Sequence, residues 1–231
     1  TVSPRNASHG DTVTITATPD KGYELEMLKV LDRSGDALKL TECEAYDHEA
    51  LRWADGHRIL LLTAHRRENQ GQGLRQIYAA VRTLCETYPD IRVIYPCHMN
   101  PNIRKLAHEC LDGCSQVLIS EPMEVYDFHN LIRHAYLILS DSGGIQEEAP
   151  SLGKPVLVLR DTTERPEGIA AGTLKLVGTD TDSIVRETSI LLDDPHAYAA
   201  MANAVNPYGD GRASERITDA LISYFERNAA K

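Results

Sequence analysis

The chain has no CxxC pair, no run of about 18 apolar residues and, with 24 basic against 34 acidic side chains, no surplus of positive charge. Each absence excludes something. Without the apolar run there is no transmembrane helix to predict. A net charge of −10 argues against a general nucleic-acid or membrane-surface binder, which needs a basic face. Local basic clusters can still grip an anion. The start, TVSPRNASHG, has neither an initiator Met nor the apolar core of a signal peptide, as expected of a fragment or a processed form. The five cysteines, Cys43, Cys85, Cys97, Cys110 and Cys114, are odd in number. A metal pair at Cys110 and Cys114, four apart on an expected helix, competes with buried reduced thiols in a cytosolic core. The second reading is the expectation, and it places the chain in the cytoplasm. No GxGxxG follows a strand-like run, which excludes the nicotinamide and flavin fingerprint. No GxxxxGK[ST] occurs, which excludes a P-loop enzyme.

What is present falls into two textures. The 231 residues suffice for one large or two modest domains with a sizeable core. Residues 1–42 read as a small β meander. In TVTITATP (12–19), Val13, Ile15 and Ala17 alternate with threonines, the period of a half-buried strand. Asp20-Lys21-Gly22 is a turn, YELEMLKV (23–30) a second strand-like run, and Arg33 to Asp36 another turn. The pattern GDTVTITATPDKGYELEMLKVLDRSGDALKL resembles the short β-repeats of bacterial cell-surface proteins, which implies a structural or spacer module.

Residues 43–231 read as one α/β domain. After a linker, TECEAYDH (41–48), apolar runs alternate with amphipathic segments. ILLLTAH (59–65) precedes a helix at 74–88, IRVIYPCH (91–98) one at 102–111, and QVLIS (116–120) one at 125–135. YLILSDS (136–142) precedes a helix at 144–153. PVLVLRD (155–161) and TLKLVG (173–178) are two further runs, and helices follow at about 181–203 and 212–227. Short continuous apolar runs mark strands buried on both faces. Alternation with helices makes a doubly wound, Rossmann-like parallel sheet of six strands.

Ligands of such sheets bind beyond the carboxyl ends of the strands. Polar residues gather there: His65-Arg66-Arg67-Glu68-Asn69, then His98, Asn100 and Pro101, then Glu121-Pro122, with Phe128 close by. Ser140-Asp141-Ser142-Gly143-Gly144 and Arg160 to Glu167 complete the rim. A Ser-Gly-Gly turn opening a helix lets backbone N–H groups approach a phosphate, and the helix start adds partial positive charge. Glu148, one helical turn on, can accept bonds from two vicinal hydroxyls, as a ribose-binding acid does. The plainer readings are a glycine-rich turn beside a solvated glutamate, and a surface ion pair of Arg66 or Arg67 with Glu68. The convergence points instead to a nucleotide-sugar site.

LLLTAHRRENQGQGL, VIYPCHMNPNIR, LILSDSGGIQEEAPSLGKPVLVLRDTTERPEGIAAGTLKLVGTD and NPYGDGRASERI together resemble the non-hydrolysing UDP-N-acetylglucosamine 2-epimerases over about residues 49–228. The resemblance implies the C-terminal, UDP-binding half of a GT-B-type two-domain fold. It implies interconversion of UDP-GlcNAc and UDP-ManNAc by elimination of UDP and its re-addition, with no metal or cofactor. By resemblance Phe128 packs near the uracil, Ser142, Gly143 and Gly144 hold the diphosphate, Glu148 takes the ribose hydroxyls, and Arg165 neutralises phosphate charge. His65 matches a functionally important histidine beside the diphosphate. In some bacterial members a second UDP-GlcNAc binds as an activator, and His98 with Arg66 or Arg67 matches the residues lining that site. Members are commonly homodimers.

The family's first domain supplies a basic glycine-rich loop and the carboxylates that move the proton at C2. The 48 residues before the match cannot form such a domain, and Asp20, Glu24 and Glu26 match no family motif. The expectation is the nucleotide half of the site without its acid–base half. Three readings follow: an epimerase, a B-type glycosyltransferase sharing fold and ribose glutamate, or a non-catalytic binding or surface-associated module. HRREN and DTTERPE fit the epimerases better than the transferases.

Overall fold

Leu60, Leu61 and Leu62 are wholly buried, which requires apolar cover on both faces of their strand. A computed structural model of the chain, describing residues 2–3, 14–15 and 48–229, shows where that cover comes from. The chain divides into two compact units, Thr1–Ala45 and Tyr46–Lys231. In the first, β1 (Val2–Ser3) pairs antiparallel with β2 (Thr14–Ile15), with Val2 opposite Ile15. Ile15 belongs to the alternating run expected to be a strand. The run at 23–30, the turns at 20–22 and 33–36, Cys43, and Asp20, Glu24 and Glu26 lie outside the described residues, as does the linker at 41–48 apart from His48.

The second unit carries six parallel strands in the order β5-β4-β3-β6-β7-β8. They are β3 (Arg58–Thr63), β4 (Ile91–Pro96), β5 (Val117–Ser120), β6 (Leu137–Ser140), β7 (Val156–Val158) and β8 (Leu174–Leu176). Successive side chains of a strand point to opposite faces, so each apolar run feeds two cores. Leu60, Leu62, Val93, Leu137 and Leu157 pack against α2 (Gln72–Thr87), α3 (Pro101–Leu111) and α7 (Thr181–Asp193). Ile59, Leu61, Ile94, Ile138 and Val156 pack on the other face against α1 (Glu49–Trp53), α4 (Val125–His134) and α5 (Gly143–Glu148). Each such side chain stabilises the fold by about 1.5–3 kcal/mol. This is the expected Rossmann-like sheet.

Several local details differ from expectation. The helix expected over 181–203 breaks into α7 and α8 (Pro195–Ala202). Pro195 holds Asp194 in an extended conformation (φ −113°, ψ 101°), and the Asp194 carboxylate caps the new helix by accepting from the N–H groups of His196 and Ala197. The helix expected at 144–153 is α5 followed by a 3-10 turn, Ala149–Leu152, which left-handed Gly153 ends. Two short helices were not expected, α1 and α6 (Pro166–Ala171). The last helix, α9 (Ala213–Ala229), leaves Ile217, Leu221, Ile222, Tyr224 and Phe225 more than half exposed. Cys85 and Cys97 are buried free thiols, as expected. Cys110 and Cys114 are only half-buried, and they do not share a helix, because α3 ends at Leu111 and Gly113 turns the chain away. No helix among the described residues is long and apolar enough to cross a membrane.

Candidate functional site

The strand order reverses between β3 and β6, whose carboxyl ends meet at the register pair Thr63 and Ser140. At such a switch point the following loops diverge to opposite faces and leave a crevice. Here those loops are HRREN and DSGG. The buried hydroxyls of Thr63 and Ser140 lie 2.7 Å apart, and Ser140 Oγ accepts the Ser142 N–H at 3.0 Å. The side chain of Asp141, fully buried, crosses to the neighbouring loop. Its Oδ2 accepts the backbone N–H groups of His65 (2.9 Å) and Arg66 (2.8 Å) and the Asn69 amide (3.0 Å). A buried carboxylate needs such donors to offset its lost hydration. One acidic side chain therefore fixes the whole HRREN loop.

His65 stands against the other oxygen of Asp141, Nδ1 to Oδ1 at 3.5 Å, which is too long for a hydrogen bond. That buried Oδ1 has no hydrogen-bond partner among the described residues. The His65 ring also stacks on His98, with centroids 5.2 Å apart and planes 6° apart. Burial pushes the His65 pKa below its ordinary value; the Asp141 carboxylate opposes the shift, while His98 and Arg66 add to it. The sign for stability follows. Below about pH 6.5 the unfolded chain takes up this proton before the folded one does, so His65 destabilises the fold as the pH falls through that window. Between pH 7 and pH 5 the wild-type chain is expected to lose more stability than His65→Asn in parallel urea titrations. Equal losses would show that His65 titrates normally.

On the β6 side, Ser142 caps α5 without a side-chain bond to it, leaving the first-turn N–H groups uncapped. Gly143 opens the helix in a confined place: a Cβ there would lie 2.6 Å from Glu164 Oε1 and 3.4 Å from an Arg66 guanidinium nitrogen. The anionic group at this spot is thus the chain's own Glu164 carboxylate. It pairs with Arg66 at 3.4 Å and with Arg160, whose Nε reaches Glu68 Oε1 at 2.8 Å. A bond from its own backbone N–H holds the Glu164 carboxyl below its usual range; burial opposes this, and Arg160 and Arg66 reinforce it. The plainer reading of an Arg66 or Arg67 pair with Glu68 is not what forms: Glu68 takes Arg160. Arg67 is exposed and makes no ion pair among the described residues.

The structure thus brings His65, Arg66, His98, Ser142, Gly143 and Gly144 to one crevice. Glu148 lies at the end of α5, with Oε1 3.4 Å from a Cβ placed on Gly144. Arg165, before α6, pairs with Glu147, the neighbour of Glu148. Phe128 packs half-buried onto the core beneath α4. Sequence reasoning did not single out Asp141, Asn69, Glu164 or Arg160. The one available signal was a chargeable residue within two positions of the end of a largely apolar strand, Asp141 after β6 and Arg160 after β7. Among the described residues no group of three or more His, Cys, Asp or Glu could hold a metal ion.

A doubly wound parallel sheet whose switch point carries a Ser-Gly-Gly helix start, arginines and histidines defines a Rossmann-like α/β domain. The chain belongs to the UDP-N-acetylglucosamine 2-epimerase family, whose model matches residues 29–222. A model of the divergent InlB B-repeat domain matches residues 1–38. The Bacillus subtilis UDP-N-acetylglucosamine 2-epimerase is 50% identical over 190 residues, 82% of this chain and 50% of that protein. The fold is one half of the family's GT-B-like architecture. Staphylococcus aureus MnaA, in its UDP co-structure, superposes with a TM-score of 0.75 at 46% identity, covering 78% of this chain and 50% of that one. The Neisseria meningitidis UDP-GlcNAc 2-epimerase bound to UDP-GlcNAc gives a TM-score of 0.70 at 50% identity, covering 73% and 46%. The chain spans about half the length of the curated epimerases it matches.

Proposed function

We propose that residues 49–228 form the UDP-holding half of a non-hydrolysing UDP-N-acetylglucosamine 2-epimerase working in the cytoplasm. The reaction interconverts UDP-GlcNAc and UDP-ManNAc by elimination of UDP and re-addition on the other face. The observation that carries this reading is the meeting of the Gly143 helix start with Arg66 and His65 at the switch point. As UDP leaves, negative charge builds on the β-phosphate. Donors already held in place stabilise that charge more than they stabilise bound substrate, which lowers the barrier. Asp141 supplies the holding, because it orders the loop before any ligand arrives. In this reading Ser142, Gly143 and Gly144 contact the diphosphate, Glu148 the ribose and Arg165 the phosphate charge. The groups that move the C2 proton come from the other half of the two-domain architecture.

Titration calorimetry with UDP tests the assignment. Glu148→Ala and Arg165→Ala are each expected to weaken binding at least about fivefold, roughly 1 kcal/mol. Arg186→Ala is the control, since Arg186 is exposed and, among the described residues, pairs with its α7 neighbours Glu187 and Ser183. Equal affinity in all three variants would place the nucleotide elsewhere.

A further inference from the structure

The half-exposed Glu148 does not stand alone: His129 Nε2 lies 3.0 Å from its Oε2. The two residues are on different helices, α4 and α5, brought together where α4 packs on the 3-10 turn after α5. An ionised carboxylate only accepts hydrogen bonds, so the ring nitrogen is the donor. The other oxygen, Oε1, leans back toward Gly144 and the start of α5. A cavity of about 340 Å³, lined by Tyr126, His129, Arg133, Glu148 and Leu152 among others, opens beside the pair.

Resting on the nucleotide reading above, we propose that His129 is a positioning residue of the ribose site. It holds one oxygen of Glu148 so that the carboxylate meets the vicinal hydroxyls of a bound ribonucleoside diphosphate. A half-exposed glutamate otherwise populates several rotamers, and freezing it on binding costs about 1–2 kcal/mol. A preformed bond moves that cost out of the binding step. Each carboxylate oxygen has two lone pairs, so the oxygen held by His129 still accepts a hydroxyl. Stability is a poor explanation of the pair, since exposed ion pairs contribute only about 0–1 kcal/mol.

The test compares UDP with 2′-deoxy-UDP on the full chain by calorimetry. Wild type is expected to prefer UDP. His129→Ala is expected to weaken UDP about three- to tenfold, leave 2′-deoxy-UDP within about twofold, and leave the urea midpoint unchanged. His129→Gln, which keeps a donor, is expected to recover part of the preference. Adding His129→Ala to Glu148→Ala is expected to cost nothing further. Equal weakening of both ligands, no weakening of UDP, or additive losses in the double variant would overturn the role of His129. A wild-type chain that binds neither ligand would overturn the nucleotide reading itself.

Discussion

Asp141→Ala is expected to destabilise the second unit by about 4 kcal/mol and to remove UDP binding. The carboxylate is fully buried, and one of its oxygens takes three donors from a loop more than 70 residues earlier. Alanine leaves two backbone N–H groups and the Asn69 amide facing a space with no acceptor. Hydrogen bonds to a charged group contribute about 1.5–3 kcal/mol each, and a buried donor left unmade costs about 1–3 kcal/mol. Losses within one network do not add fully, which brings the total to about 4 kcal/mol. Asparagine retains a carbonyl oxygen for the same donors, so Asp141→Asn is expected to cost well under half as much. Its amide nitrogen would then face His65 Nδ1 in place of the carboxylate oxygen. Urea unfolding of the three proteins checks the order. A loss below about 1.5 kcal/mol for alanine would mean that the loop does not depend on this anchor.

Gly143→Ala is expected to do the opposite: keep the fold and weaken UDP about 100-fold, near 2.7 kcal/mol. The added methyl would meet Glu164 Oε1 at 2.6 Å. That oxygen ends a flexible, exposed side chain which can swing away, and alanine favours a helix over glycine by about 1 kcal/mol. Stability therefore holds. A diphosphate on the helix start has no such freedom, because it must sit where Arg66 and the first-turn N–H groups converge. Unchanged UDP affinity in a folded Gly143→Ala chain would show that the diphosphate does not use this helix start.

Much of this was open to reading before any coordinates, and for a physical reason. A strand buried on both faces is apolar along most of its length, so six short, largely apolar runs announced six parallel strands. Glycine after a strand and charge at its carboxyl end marked the rim. The reading was weaker where elements are short. α1 and α6 span five and six residues, too few for a helical period to emerge. Arg66 was legible as a cation but its partner was not, because Glu164 lies 98 residues away. Phe128 drew notice as an aromatic residue, whereas the adjacent His129 reaches Glu148 only because of how α4 packs.

The sequence by itself determined the class of fold, the family and the set of residues offered at the rim, since these depend on local periodicity and on motifs continuous along the chain. Only the tertiary structure decided that β3 and β6 are neighbours. That adjacency places Asp141 beneath His65 and Arg66 and sets Glu164 against Gly143. Strand order is a property of long-range packing, in which both faces of the sheet must be covered at once, and no local pattern encodes it.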